Sequence, residues 1–241
     1  MPEAVIIVPW RDKGDRWRSS NLSMVLCHLD LIDIAPVDIV GDGRYGSAPF
    51  NRSAAYNLGV ARNPTAQVFI FYEADMLIGR SALITAIELA AESSGLVVPF
   101  SEYHYLSQSD TERVRFGRSP SSCVPERIMA DCRSNGAVNV LSASSLRSVG
   151  RWDESFEGWG FDDRAMAVAF QVATGAATRY VSGPGVHLWH QPGWSVQSRF
   201  RGGSHISPAE HAATVQNEHR FQAYRKARTP ERVRALTAGG I

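Results

Sequence analysis

Short apolar runs alternate with stretches of helical spacing through the first hundred residues, and this order constrains the fold more than any other feature of the chain. Ala4 to Val8 is a continuous apolar run, the pattern of a strand buried on both faces. Arg16 to Asp30 carries Trp17, Leu22, Val25, Leu26 and Leu29 near helical spacing. Val37 to Val40 reads as a second strand and Arg52 to Arg62 as a second helix, stopped by Asn63-Pro64. Gln67 to Tyr72 is a third strand, rich in aromatic and β-branched residues. Arg80 to Glu92 and Leu96 to Phe100 complete a β-α-β-α-β-α-β order. Such an order predicts an α/β fold, a mainly parallel sheet flanked by helices. Ligands of these sheets sit outside the carboxyl ends of the strands. The loops after Val8, Val40 and Tyr72 are therefore the places to look.

The second half is less regular. Ser101 to Gly136 is polar, rich in Ser and Arg, and too long for an ordinary connection, so a functional or mobile excursion is expected there. Ala137 to Ser142 reads as a strand, Ser144 to Val149 as a short helix, and Phe161 to Thr174 as a helix with Gly175 as its C-cap. Thr178 to Ser182 and Gly185 to Trp189 are short strands. Gln191 to Ser207 is a loop of Gly, Ser and Arg, followed by a polar helix over Pro208 to Arg225 and a basic tail.

Composition narrows the function classes. In 241 residues, 44% hydrophobic and 20% charged, there is enough apolar material for one sizeable core. The net charge of +1 carries no bulk electrostatic footprint for nucleic acid or an anionic membrane. Apolar runs reach only about five residues, far short of the roughly 20 of a membrane span. Met1-Pro2-Glu3 leads straight into the first strand without a basic region or cleavage site, so no signal peptide is read and a cytoplasmic location is expected. Cys27, Cys123 and Cys132, odd in number and without CxxC spacing, are expected as free thiols. The Ala- and Arg-rich usage is that of a high-GC bacterium or a phage of one, which would make the location the host cytoplasm.

Three stretches carry chemistry. Glu73-Ala74-Asp75 follows a buried strand, where two carboxylates offer hard oxygen ligands to a divalent cation; a polar strand end reads the same way. His187 and His190, three residues apart, converge on one metal if the backbone turns between them; otherwise they are a surface strand's histidines. Glu157-Gly158-Trp159-Gly160-Phe161-Asp162-Asp163 is the strongest. Its glycines permit a tight turn, and its two acids sit in the first turn of a helix, where the macrodipole favours their ionised form. An aromatic platform beside a carboxylate suits a sugar ring; a capped helix beside a core tryptophan is the plainer alternative.

Taken in order, four stretches resemble the GT-A glycosyltransferases, those of the β-1,4-galactosyltransferase type and the catalytic domain of polypeptide N-acetylgalactosaminyltransferases. They are Val8-Pro9-Trp10-Arg11-Asp12-Lys13, Phe50-Asn51-Arg52-Ser53 leading to Asn57-Leu58-Gly59, Glu73-Ala74-Asp75 at the DxD position, and Gly158-Trp159-Gly160-Phe161-Asp162-Asp163 against a GWGxED motif. The resemblance covers about residues 4 to 192. It implies a Rossmann-like GT-A sheet with a smaller acceptor-side subregion. Residues 1–207 would be the catalytic domain, with about 1–100 the nucleotide-sugar half and 101–207 the acceptor half and lid; 208–241 would be a C-terminal helical tail. It implies a nucleoside-diphosphate sugar, of the UDP-sugar kind, as donor and a protein or glycan hydroxyl as acceptor. Asp75, His187 and His190 would hold manganese or another divalent cation such as magnesium. Pro9, Trp10, Arg11, Asp42, Phe50, Arg52 and Glu73, with Asp75, would line the donor pocket. Asp163 would be the catalytic base, and Asp162, Trp159 and Gly160 would hold the acceptor.

Two positions depart from the family pattern. Glu73 opens the metal triplet in place of Asp, and the acid pair is Asp-Asp in place of Glu-Asp. The two-acid motif with Asp163 favours inversion over retention. Trp194, Arg199 and Arg201, just after the histidines, are expected in a lid over the diphosphate. A non-catalytic nucleotide-sugar-binding module is the competing reading. A nucleotidyltransferase would need a Gly- and Lys-rich loop after the first strand, and Pro9-Trp10-Arg11-Asp12 lacks glycine.

Overall fold

Residues 2–132, 134–191 and 208–239 are described by a computed structural model. The alternation of the first hundred residues produces β1 (Ala4–Pro9), α1 (Arg16–Ile32), β2 (Val37–Val40), α2 (Arg52–Arg62), β3 (Val68–Tyr72), β4 (Met76–Ile78), α3 (Arg80–Glu92) and β5 (Val97–Val98). Local chemistry sets the helix starts. The Asp15 carboxylate accepts from the backbone N–H of Trp17 and Arg18 and opens α1. Asn51 does the same for α2 through Ala54, while its amide nitrogen donates to the Glu154 carbonyl at 2.7 Å. Gly59 lets α2 lie against β1, since a Cβ there would stand 2.6 Å from a methyl of Ile7.

The polar stretch after Ser101 is ordered. It forms β6 (Glu102–Tyr105), α4 (Gln108–Arg115), a 3₁₀ turn (Pro120–Ser122) and β7 (Arg127–Met129), where a functional or mobile excursion is expected from sequence. Its strands, Glu102–Tyr105 and Arg127–Met129, are mostly half-buried or exposed and carry no apolar alternation. There follow β8 (Val138–Ser142), α5 (Ala143–Val149), α6 (Asp162–Thr174), β9 (Arg179–Tyr180), β10 (Pro184–His187), α7 (Pro208–Lys226) and α8 (Pro230–Thr237). The basic stretch after residue 226 thus includes a second helix of its own. Val233 and Leu236 of α8 and Tyr224 of α7 are buried with α2, α5 and α6 in one cluster.

The larger sheet has the order β2-β1-β3-β8-β5-β9. β1 pairs in parallel with β2 and β3, and β8 runs antiparallel to both of its neighbours. Ile6 and Val8 face one core cluster with α1 and α3; Val5 and Ile7 face the other, with α2 and α6. That is the two-sided burial the apolar run demands. A smaller sheet, β4-β10-β6-β7, stands at the carboxyl end of β3. All three cysteines are free thiols. No described helix is long and apolar enough to cross a membrane.

Candidate active site

A turn between the two sheets creates the first cluster. The backbone N–H of Glu73 donates to the Ala137 carbonyl at 2.9 Å, and β4 begins immediately after Asp75. The antiparallel register of β10 on β4 places His187 opposite Met76, next to Asp75. The Leu188 N–H then donates to the Asp75 carbonyl at 2.8 Å. Beyond it the chain turns, fixed by Trp189 N–H on the Thr111 hydroxyl at 2.8 Å and by the Asn21 amide on the Trp189 carbonyl at 3.0 Å. This turn brings His190 back over the same carboxylate. His190 Nε2 lies 3.1 Å and His187 Nε2 3.7 Å from Asp75 Oδ2.

One ligand atom from each of Asp75, His187 and His190 falls within 4.8 Å of the others. Burial works against the charged form of Asp75, but His187 and His190 outweigh it and hold the carboxyl well below the usual range. Burial takes His187 down to about 4, so its imidazole is neutral and keeps a lone pair for a metal. His190 Nδ1 donates to the Gln191 carbonyl at 2.9 Å, which leaves Nε2 as its ligand atom. Asp75 Oδ1 is buried and has no hydrogen-bond partner among the described residues. An orphaned carboxylate oxygen beside two imidazole nitrogens fits a divalent ion.

The second cluster centres on Arg52, the first residue of α2. Its Nε and Nη2 donate to Asp162 Oδ2 at 3.0 and 2.5 Å, Nη2 also reaches Asp163 Oδ1 at 2.7 Å, and Nη1 pairs with Glu73. The acids open α6 after a run of left-handed backbone, with φ of 67° at Gly158, 94° at Gly160 and 71° at Phe161. Two of these positions are glycine, for which that region carries no steric cost; Phe161 holds it against a cost. Loss of solvent contact, opposed by Arg52 and reinforced by the Asp162 carboxylate, lifts Asp163 to about 6. Its side chain keeps 28% exposure, so a substrate can reach it.

A third group forms the corner beside β1 and β2. Pro9 pairs in register with Val40, and the Trp10 N–H donates to the Val40 carbonyl at 2.9 Å. Arg11 lies 3.3 Å from Asp42, donates to the Ala48 carbonyl at 2.5 Å and sits 5.6 Å from the centre of the Phe50 ring. Asp42 also accepts from the Asn51 N–H at 2.8 Å. Arg52 does not join this corner with Asp42 and Phe50 but lies among the acids, and Glu73 pairs with it outside the metal-ligand cluster. Trp159 is 52% exposed on its turn. Trp194, Arg199 and Arg201 lie outside the described residues.

Two contributors escape a reading of the sequence. Asn217 of α7, almost fully buried, donates to the carbonyls of Glu157 (2.8 Å) and Trp159 (3.3 Å) and pins the glycine-rich turn. Gly136 stands against Asp163, because a Cβ there would be 2.4 Å from its Oδ2. Only the position of Gly136 two residues before a buried strand signals it. Gly136→Ala is expected to lower turnover by up to about a hundredfold while the melting temperature changes little. Steady-state kinetics with a thermal melt test this, and an unchanged kcat would mean that the Asp163 position is not critical.

No protein-family model matches this sequence, and no curated protein matches it. Solved structures do. Drosophila β1,4-galactosyltransferase 7, a mutant in complex with manganese, UDP-Gal and xylobiose, superposes with a TM-score of 0.54 at 13% identity, covering 87% of this chain and 84% of that one. The chain has the GT-A glycosyltransferase fold. A second structure of the Drosophila enzyme's catalytic domain, with xylobiose, matches at 14% identity and a TM-score of 0.48, over 75% of this chain and 65% of that chain's length. GalNAc-T7 with UDP, GalNAc and Mn2+ matches at 10% identity and 0.47, over 93% of this chain and 50% of that one.

Proposed function

We propose that this GT-A chain is a metal-dependent glycosyltransferase that moves a sugar from a nucleoside-diphosphate donor to an acceptor hydroxyl with inversion. The observation that carries the reading is the pairing of two clusters on one cleft: a histidine–carboxylate metal centre, and an acid pair joined to Glu73 of the metal loop through Arg52. Asp75, His187 and His190 hold the ion. Two imidazoles in the set favour manganese or a similar transition ion over magnesium. When bound, such an ion supplies Lewis-acid neutralisation of a leaving diphosphate. The Drosophila neighbour's complex with manganese and UDP-Gal supports a UDP-sugar as donor.

The chain's own residues do the rest. The Arg11, Asp42 and Phe50 corner, with Pro9 and Trp10, receives the nucleoside at the carboxyl ends of β1 and β2. Asp163, partly open to the cleft, takes the proton of the acceptor hydroxyl; a carboxylate held near 6 is matched to that task at neutral pH. Asp162 stays engaged with Arg52 and orients the pair, and Trp159 and Gly160 offer the acceptor, a protein or a glycan, an aromatic wall. Residues 1–207 act as the catalytic domain, braced by the helices after 208. Three free thiols fit a reducing compartment such as the cytoplasm.

The test is a panel of nucleotide sugars with manganese, following release of nucleoside diphosphate. One donor is expected to turn over, and a chelator is expected to stop it. Tight donor binding without release from any sugar would overturn the reading in favour of a non-catalytic binding module.

A further inference from the structure

A row of side chains crosses the smaller sheet, starting at the metal centre. In register, Met76 of β4 faces His187 of β10, His187 faces Tyr105 of β6, and Tyr105 faces Arg127 of β7. The last three share one face of the sheet. The ring centres of His187 and Tyr105 are 5.2 Å apart, and the Arg127 guanidinium carbon lies 3.8 Å from the centre of the Tyr105 ring. Tyr103, two residues back on the same face, closes the floor, 5.6 Å from His187 and 4.5 Å from Tyr105 between ring centres. Tyr103, Tyr105 and Arg127 of this row lie in the Ser101 to Gly136 stretch, which the sequence offers only as a functional or mobile excursion.

Arg127 differs from the other arginines of the cleft. Arg52 is neutralised by three carboxylates and Arg11 by one. Arg127 is exposed and pairs with no carboxylate among the described residues; its guanidinium lies over the ring of Tyr105. A guanidinium held over an aromatic face keeps its full charge and its N–H donors for a further partner. Its planar fork matches two oxygens of a phosphate. By register Arg127 stands on the same face of the sheet as His187, one strand beyond Tyr105.

We propose that Arg127, held on Tyr105, is an anion-binding arm of the metal centre that takes phosphate oxygens of the donor's diphosphate. This rests on the glycosyltransferase reading above and adds residues to it. A divalent ion beside Asp75 carries less net positive charge than a diphosphate leaving group carries negative, and Arg127 supplies part of the difference from the far side of Tyr105. An acid group on the acceptor has the same chemistry, and the experiment separates the two sources.

The experiment is calorimetric titration of UDP, and of uridine, into the manganese-loaded full chain. Arg127→Ala is expected to weaken UDP about tenfold and to leave uridine unchanged. Tyr105→Leu, which keeps the arginine but removes its support, is expected to weaken UDP in the same direction. Manganese binding without nucleotide, followed by electron paramagnetic resonance, is expected to be the same in all three proteins, which separates loss of the arm from loss of the ion. UDP affinity within twofold of wild type in Arg127→Ala would overturn the proposal and leave the arginine to an acidic acceptor. A wild-type protein that binds manganese but not UDP would instead overturn the glycosyltransferase reading itself.

Discussion

Asp163→Asn is expected to cut turnover by about 10²–10⁴-fold, the range that positioned proton transfer contributes. The substitution keeps the shape of the side chain and an oxygen for Arg52, so the fold and the arginine network survive while the basic oxygen is lost. Donor and manganese binding should remain, because the metal ligands lie in a separate cluster. The pH profile gives an independent check. A base held at about 6 is protonated below that pH, so kcat/KM of the wild type should fall about tenfold per unit on the acid side and level off above it. The variant should lack this acid limb. Full transfer by Asp163→Asn, with the limb retained, would remove Asp163 as the base and direct attention to Asp162.

Asp75→Asn carries the second large effect. The carboxylate is the anionic member of the Asp75, His187 and His190 cluster, with its Oδ2 3.7 and 3.1 Å from the two Nε2 atoms. Its neutral isostere should lose manganese and lower turnover by about 10³-fold, which corresponds to the several kcal/mol that Lewis-acid stabilisation supplies. A chelator should bring the wild type to the same level and have no further effect on the variant. Paramagnetic resonance of manganese reads the binding directly. A variant with wild-type manganese affinity would show that Asp75 is not a ligand.

Much of the architecture is legible in the chain because strands buried on both faces announce themselves by uninterrupted apolar runs, as Ala4 to Val8 and Gln67 to Tyr72 do. The candidate metal cluster is legible in its residues but not in its cause. Asp75 and His187 meet through the register of β10 on β4, and period-based reading contains no register. Tyr103, Tyr105 and Arg127 escape notice because short, partly exposed strands of polar and aromatic residues lack the alternation by which strands are recognised. Gly136 and Asn217 escape for another reason. A close approach to Asp163 and a side-chain clamp on the Trp159 carbonyl are contacts between distant segments, and neither leaves a local pattern.

The single guanidinium of Arg52 has a consequence for how the two halves of the cleft communicate. It is shared among Glu73, which belongs to the turn that carries Asp75, and Asp162 and Asp163, which open α6. Whatever draws Glu73 toward or away from this cation alters how much of its charge is left to Asp163, and with it the proton affinity of that carboxyl. By thermodynamic reciprocity, protonating Asp163 alters the hold on Glu73 to the same extent. The cleft is thus a linked system, in which occupancy on one side sets the readiness of the other.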